Sequence, residues 1–343
     1  MMKKKIFLLF ILVLIIAINP KIINKINEKI SGNALELQSE QNLKIDSKCK
    51  IVKYEDNIIL YNGKVLRCLD EEGKEKFSLN LESKNFNLYS NKYIDILDKD
   101  KDVIFSINKS GKIIFRKKVF NNGLKYASLD NDLYLYVYKD DKKDIINIYD
   151  FEGKVYKTLK LKGKLTNITY SNKAIYVCEL NTEKNLENII SEYDYNGNCK
   201  NKKVINSSII LDIIIDNNNI YLIEKNKITK LDNNLNIKKE FNVNDIKYYS
   251  ELYKDGFYFV EQNNKVKFIS DKIKEISVSN KLDKIDGIIN LNNNIILYKD
   301  NKIFNKNGEE LKRFESNITK VLTLNKSTMA LKVDNELQIL KIK

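Results

Sequence analysis

The chain is 343 residues long and carries 60 Lys and Arg against 46 Asp and Glu, a formal net charge of +14, with no His and no Trp. The missing histidine removes the side chain that most readily shuttles protons near neutral pH and is the commonest metal ligand. Arginine occurs only as Arg67, Arg116 and Arg313, so the bidentate forks that read guanine and phosphate are scarce, which argues against a specific nucleic-acid reader.

Residues 1–34 hold six Lys and one Glu and contribute +5, leaving +9 for the remainder. In a chain this rich in Lys, Asn and Ile, that charge reads as solvated surface. The alternative is a weak attraction to anionic lipid headgroups or an acidic wall polymer, since a distributed positive field draws polyanions without specific geometry.

Lys3, Lys4 and Lys5 precede an unbroken apolar run at 6–18, followed by Asn19, Pro20 and Lys21. Lysines before an apolar run are an export signal. The nearest small-x-small cleavage pattern, Gly32-Asn33-Ala34, lies more than a dozen residues too late, and no Cys follows at lipoprotein distance. Thirteen helical residues rise about 20 Å against a hydrocarbon core of about 30 Å, and continuing to Ile23 brings the span to about 27 Å. The segment therefore reads as an uncleaved transmembrane helix through residues 6–23, with flanking lysines snorkelling. The lysine bias weakly sets the following domain outside the cytoplasm. Residues 1–33 are thus cytoplasmic lysines, anchor and short linker, and 34–343 form one domain.

From about residue 49 onward, short β-branched and aromatic runs alternate with period two between Asn/Asp/Gly/Lys turns, an all-β pattern. A longer period lies on top of it. The turn Asp70-Glu71-Glu72-Gly73-Lys74 recurs as Asn108-Lys109-Ser110-Gly111-Lys112, Asp150-Phe151-Glu152-Gly153-Lys154 and Asp194-Tyr195-Asn196-Gly197-Asn198. Degenerate copies follow at Asp232-Asn233-Asn234-Leu235-Asn236, Ser270-Asp271-Lys272 and Asn305-Lys306-Asn307-Gly308-Glu309. Asp or Asn opens such a turn by bonding its own backbone, and Gly takes the φ > 0 position that closes it. Six repeats separate Gly73 from Gly308, 235 residues apart, a mean of about 39 residues, the length of a four-stranded propeller blade.

With strands a to d counted from the centre of each blade outward, this predicts an all-β propeller with seven complete blades and a remainder. The remainder is a at 318–325, b at 328–333 and c at 336–342. The missing d would come from 34–43, ahead of the first a strand at 49–54, so that strands from both chain ends close an eighth blade and leave no terminal edge. Eight blades is the preferred count and seven the alternative.

These units resemble WD40-like and quinoprotein-like propellers, and joined to a lysine-flanked anchor they resemble the uncharacterised membrane-anchored propeller proteins of Gram-positive bacteria. The resemblance implies fold and location more than chemistry. The Trp-Asp and Gly-His pairs of true WD40 repeats and the docking tryptophans of quinoprotein dehydrogenases are absent, so no quinone site carries over and no cofactor is expected.

Cys49, Cys68, Cys178 and Cys199 have no zinc spacing. Cys49 and Cys68 fall two strands apart in one blade, about 9.5 Å and beyond a disulfide, so most of the four read as buried free thiols. Asp98-x-Asp100-x-Asp102 opens like a calcium loop, but Val103 replaces the turn glycine and Lys109 the closing glutamate, so it reads as the b–c turn of the second blade. The 20 Tyr read as strand and inter-blade packing, with sugar or peptide contacts for a few at the funnel as the alternative. Carboxylates converging in the central pocket would indicate a carbohydrate-active enzyme; a funnel without them, a binding module.

One asymmetry suggests a partner surface. The b–c connection of the fourth blade, Asn181, Thr182, Glu183, Lys184, Asn185, Leu186, Glu187 and Asn188, is the longest of its kind. It is expected on the same rim as the extended turn of the third blade, Lys139, Asp140, Asp141 and Lys142, which runs to Asp144. Loops on a rigid scaffold often carry function. Expected partners are the membrane, through residues 6–23, and an envelope protein or anionic wall polymer.

Overall fold

The computed structural model describes residues 37–119, 123–140, 143–181, 187–205, 209–216, 219–279 and 282–342. The anchor expected at 6–23 lies outside them. No helix among the described residues is long and apolar enough to cross a membrane.

Among the described residues, thirty-two strands form eight four-stranded antiparallel sheets. Blades 1 to 7 occupy 50–80, 86–118, 123–160, 164–205, 210–242, 246–276 and 287–313, each in the order a-b-c-d. Blade 8 takes a from Ile318–Thr323, b from Thr328–Val333, c from Glu336–Ile342 and d from Leu37–Lys44. Leu43 pairs with Leu337 and Leu37 with Ile342, so the two chain ends close the ring as expected. The boundaries differ slightly. The d strand reaches Lys44, the first a strand begins at Lys50, and a of blade 8 stops at Thr323. It stops because the Asn325 side chain accepts hydrogen bonds from Ser327 and Thr328 N–H and turns the chain into b.

Most neighbouring a strands touch one another around the axis, while the d strands form the outer wall and are mostly exposed, as in Val155–Lys160 and Ile237–Asn242. The b and c strands between them are buried on both faces, such as Ile94–Asp98 and Val103–Ile107, every residue of which is buried. Each sheet is covered by a blade on either side, so the strands lose the polar alternation of a half-solvated sheet. Because the sheets are antiparallel, a–b and c–d turns share one face of the disc (the lower), and b–c turns and d–a crossings share the other (the upper).

The recurrent motif is the c–d turn of blades 1 to 5 and 7. In blade 1, Gly73 N–H donates to Asp70 C=O, and Glu72 and Lys74 N–H donate to Asp70 Oδ1. Glycine takes φ near +75 to +80° at Gly73, Gly111, Gly153, Gly197 and Gly308, whereas blade 5 places Leu235 there at φ 62°.

Five a strands hold one extra residue at an equivalent position near the upper face: Leu124, Thr166, Leu211, Lys247 and Thr319. Such bulges increase twist and re-aim side chains. Leu124 and Leu211 are 45% and 55% exposed.

Candidate binding surfaces

The wall of the central channel is made by the eight a strands. They contribute six lysines, Lys50, Lys53, Lys125, Lys164, Lys247 and Lys320, and only two carboxylates, Asp212 and Asp216, both on blade 5. The inner edge of an a strand has no neighbour to pair with, and lysines satisfy part of it. Lys50 Nζ donates to Phe86 C=O, Lys125 Nζ to Ile168 C=O at 2.6 Å and Lys247 Nζ to Ile285 C=O at 3.1 Å, each reaching from one blade to the next. Burial holds the Lys125 ammonium below its ordinary range, and Asp212 partly opposes that shift.

Asp212 joins three blades. It accepts hydrogen bonds from Asn167 Nδ2 of blade 4 at 2.9 Å and from Tyr249 Oη of blade 6 at 2.5 Å. Burial, and then the adjacent carboxylate, push the Tyr249 phenol upward. Asp212 and Asp216 are four residues apart on one strand, about 13 Å.

The lower face opens into a cavity of about 940 Å³ under blades 6, 7, 8 and 1, lined among others by Leu252, Tyr253, Asn290, Asn293, Asn325 and Lys326. Tyr253 Oη donates to Asn293 Oδ1, and Asn325 Nδ2 to Glu71 Oε2. Asn292 and Asn293 both have positive φ, which the a–b hairpin requires and Asn tolerates. Neither this cavity nor the Asp212 junction was expected from sequence, because both join residues from different blades.

The expected rim is placed only in part. Asn181 and Glu187 pair at the end of the blade 4 b–c hairpin, and Thr182, Glu183, Lys184, Asn185 and Leu186 lie outside the described residues. Asn188 is a correction. It lies within strand c, fully buried, and its Oδ1 accepts Ile210 N–H of blade 5 at 3.4 Å, so it ties two blades instead of facing a partner. The blade 3 turn is also tighter than expected. Lys139 pairs with Asp144 and Asp140 with Lys143 as strand residues, while Asp141 and Lys142 lie outside the described residues. Lys139 and Asp140 are exposed at the hairpin end; Asp144 is buried, and its Oδ2 accepts Leu165 N–H at 2.8 Å. Leu124, Ile209 and Leu211 stand exposed on the same upper face. The bulges that expose two of them leave no mark in the sequence alternation.

Asp98 closes strand b and Val103 opens strand c, so Asp98 to Asp102 is the b–c turn of blade 2. Asp98 Oδ1 accepts Asp100 and Lys101 N–H. Among the described residues no three His, Cys, Asp or Glu side chains cluster as metal ligands. All four cysteines are free thiols: Cys49, Cys68 and Cys178 are buried and Cys199 is exposed.

The fold is an eight-bladed β-propeller. Residues 31–157 match the family of unknown function DUF5711. No curated protein matches the chain. Among solved structures, it is similar to Sqt1 of Saccharomyces cerevisiae, with a TM-score of 0.62 at 8% identity over 90% of this chain and 99% of that one. BamB from Moraxella catarrhalis gives 0.60 at 8% identity over 90% and 100%. A catalytically inactive histidine-to-alanine variant of virginiamycin B lyase from Staphylococcus aureus, with quinupristin, gives 0.51 at 14% identity over 88% and 99%. At these identities the likeness establishes the fold alone.

Proposed function

We propose that the chain is a membrane-tethered, extracytoplasmic binding or scaffold protein that presents a propeller surface to an envelope protein or an anionic wall polymer. The observation that carries this reading is the make-up of the channel wall. Its two carboxylates share one strand about 13 Å apart, outside the separations of about 5 to 9.5 Å that glycoside hydrolysis uses, and Asp212 is already engaged by Asn167 and Tyr249. The lyase among the similar structures loses its activity with one histidine; this chain has none, so that chemistry has no residue to rest on here.

The position of Leu37 supports the tether. Leu37 starts the outer strand of blade 8 at the lower face. Residues 24–36 could span up to about 45 Å when extended, enough to set the disc clear of a bilayer.

The test is cell fractionation with the N-terminal mass of the recovered protein, and external protease as a topology probe. An intact N-terminus in the membrane fraction, with the linker cut from outside, is the expected result. A released protein lacking residues 1–33 would remove the tether, and full protection in intact cells would put the propeller on the cytoplasmic side. Crosslinking in cells would then identify what the surface holds.

A further inference from the structure

The eight blades repeat in geometry but not in charge. On blades 1, 5, 6, 7 and 8 the outer strand carries a glutamate, and each is in an ion pair. Arg67 meets Glu75 at 2.5 Å, Lys227 meets Glu240 at 3.0 Å, Lys265 meets Glu275 at 3.2 Å and Lys302 meets Glu310 at 3.0 Å, while Lys312 meets Glu40. Lysines on an edge strand discourage edge-to-edge association, and a mixed edge serves that purpose as well.

The outer strands of blades 2, 3 and 4 contain no carboxylate at all. Blade 2 offers Arg116, Lys117 and Lys118; blade 3 offers Lys157 and Lys160. Blade 4 adds Lys200, Lys202 and Lys203. Of these eight cations, among the described residues, only Lys200 has an ion-pair partner, Asp194 at 3.1 Å. The nearby Asp150 is occupied by its own turn, where Oδ1 accepts Glu152 and Lys154 N–H.

The three strands form one continuous wall because side chains cross the blade boundaries. The Lys117 stem lies against Gly153 of blade 3, 3.1 Å from where a Cβ would stand. Lys157 lies against Gly197 of blade 4, at 2.3 Å from such a Cβ, which only glycine allows. Tyr156 Oη donates to Asn196 Oδ1 of blade 4 at 2.8 Å. Apolar groups sit among the charges: Phe151 is 69% exposed, Tyr156 51% and Val155 48%.

We infer that this outer wall of blades 2 to 4 is a docking surface for an extended poly-phosphodiester chain, the chemistry of an anionic wall polymer. The inference deepens the proposed function by naming the surface and the partner's chemistry. Ammonium groups are point charges that suit a flexible string of phosphates better than planar, bidentate recognition does. Arg116 with Lys118, and Lys200 with Lys202, are exposed pairs two residues apart on a strand, about 6.6 Å, a length comparable to one three-carbon phosphodiester repeat. Phe151, Val155 and Tyr156 supply apolar area for the carbon skeleton between phosphates. Position in the ring disfavours the tether's own bilayer as occupant. Leu37, where the chain enters the ring from the expected tether, lies on blade 8, diametrically across the eight-membered ring from blade 4.

The test uses the full-length protein in a non-ionic detergent and fluorescent poly(glycerol phosphate), titrated at low and high salt. The triple variant Lys118→Glu/Lys157→Glu/Lys202→Glu is compared with a control of equal net charge, Lys76→Glu/Lys238→Glu/Lys274→Glu, in the outer strands of blades 1, 5 and 6. All six lysines are exposed, and an unchanged circular dichroism spectrum and melting temperature verify the fold. Expected are binding that weakens steeply with salt, a loss of about tenfold or more in the first variant, and little change in the control. Equal losses in both variants would reduce the effect to net charge and overturn the site. Binding to vesicles containing anionic lipid but not to the polymer would replace the polymer by a bilayer surface, and no binding to either would end the proposal. None of these outcomes bears on the tether, which fractionation tests separately.

Discussion

The carboxylate of Asp95 in blade 2 binds Ser128 of blade 3 twice: Oδ2 accepts both the backbone N–H at 2.6 Å and the hydroxyl at 2.7 Å. Ser106 Oγ donates to Oδ1 at 2.5 Å and Asn91 Nδ2 to Oδ2 at 2.6 Å. The group is fully buried, and desolvation raises it to about 6 despite these four donors.

A definite pH dependence follows from that shift. Between the unfolded value near 4 and the folded value near 6, the native state holds the extra proton, so stability from this site is fully present at low pH and is lost as pH rises through 6. The Asp95→Asn variant does not titrate. The stability of the natural protein relative to this variant should fall by about 2 kcal/mol between pH 4 and pH 7, read by urea unfolding at both pH values. A difference independent of pH would show that the carboxylate is not held as described.

Closure of blade 8 should be measurable strand by strand. Leu340 is fully buried on strand c, between Met329 of strand b and Glu40 of strand d, and Leu340→Ala should cost about 3 kcal/mol. Deleting residues 37–44 leaves strand c without its outer partner. Hydrogen exchange should then show lost protection in Glu336–Ile342, with blades 3 to 5 little changed; unchanged protection would mean that the N-terminal strand adds nothing.

Leu235 pits backbone strain against burial. At φ 62° it occupies the turn position that glycine holds in five other blades, but its side chain is 1% exposed, within the cluster of Cys178, Ile213 and Leu231. Relief of the left-handed strain would return about 1 kcal/mol, while loss of the buried side chain would cost about 2 to 3 kcal/mol. Leu235→Gly should therefore destabilise by about 1 to 2 kcal/mol. A stabilised variant would reverse that ranking.

The four thiols should react in two classes. Burial pushes Cys49, Cys68 and Cys178 up to about 11, whereas Cys199 is exposed. Alkylation of the native protein at pH 8 should add one adduct quickly, and the remaining three only after unfolding. Mass spectrometry after a timed quench distinguishes this from uniform labelling.

The blade repeat was legible because its c–d turn is local chemistry. Asp70 and Gly73 announce themselves within five residues, and counting such turns gives the ring and its closure. Errors arose where polarity stood in for exposure. Asn188 and Asp144 looked like loop residues, yet they accept backbone N–H groups from the following blade. The Asp212 junction and the lower-face cavity bring together residues from several blades, and no single repeat encodes that proximity. The uneven charge of the outer wall was present in the sequence from the start. It becomes visible only once Arg116, Lys157 and Lys202 are assigned to the same layer of adjacent blades.

Pairing Leu37 with Ile342 has a consequence for the order in which the protein can be made. Blades 1 to 7 each consist of consecutive strands, so each could form soon after its own segment emerges. Blade 8 cannot: its outer strand is synthesised first and must wait, unpaired, for the last residues of the chain. Contacts so distant in sequence are also the slowest to form. A product cut short between Arg313 and Ile318 would hold seven blades and an open seam, with the apolar faces of blades 1 and 7 and the unpaired strand Leu37–Lys44 exposed to proteases and to other chains.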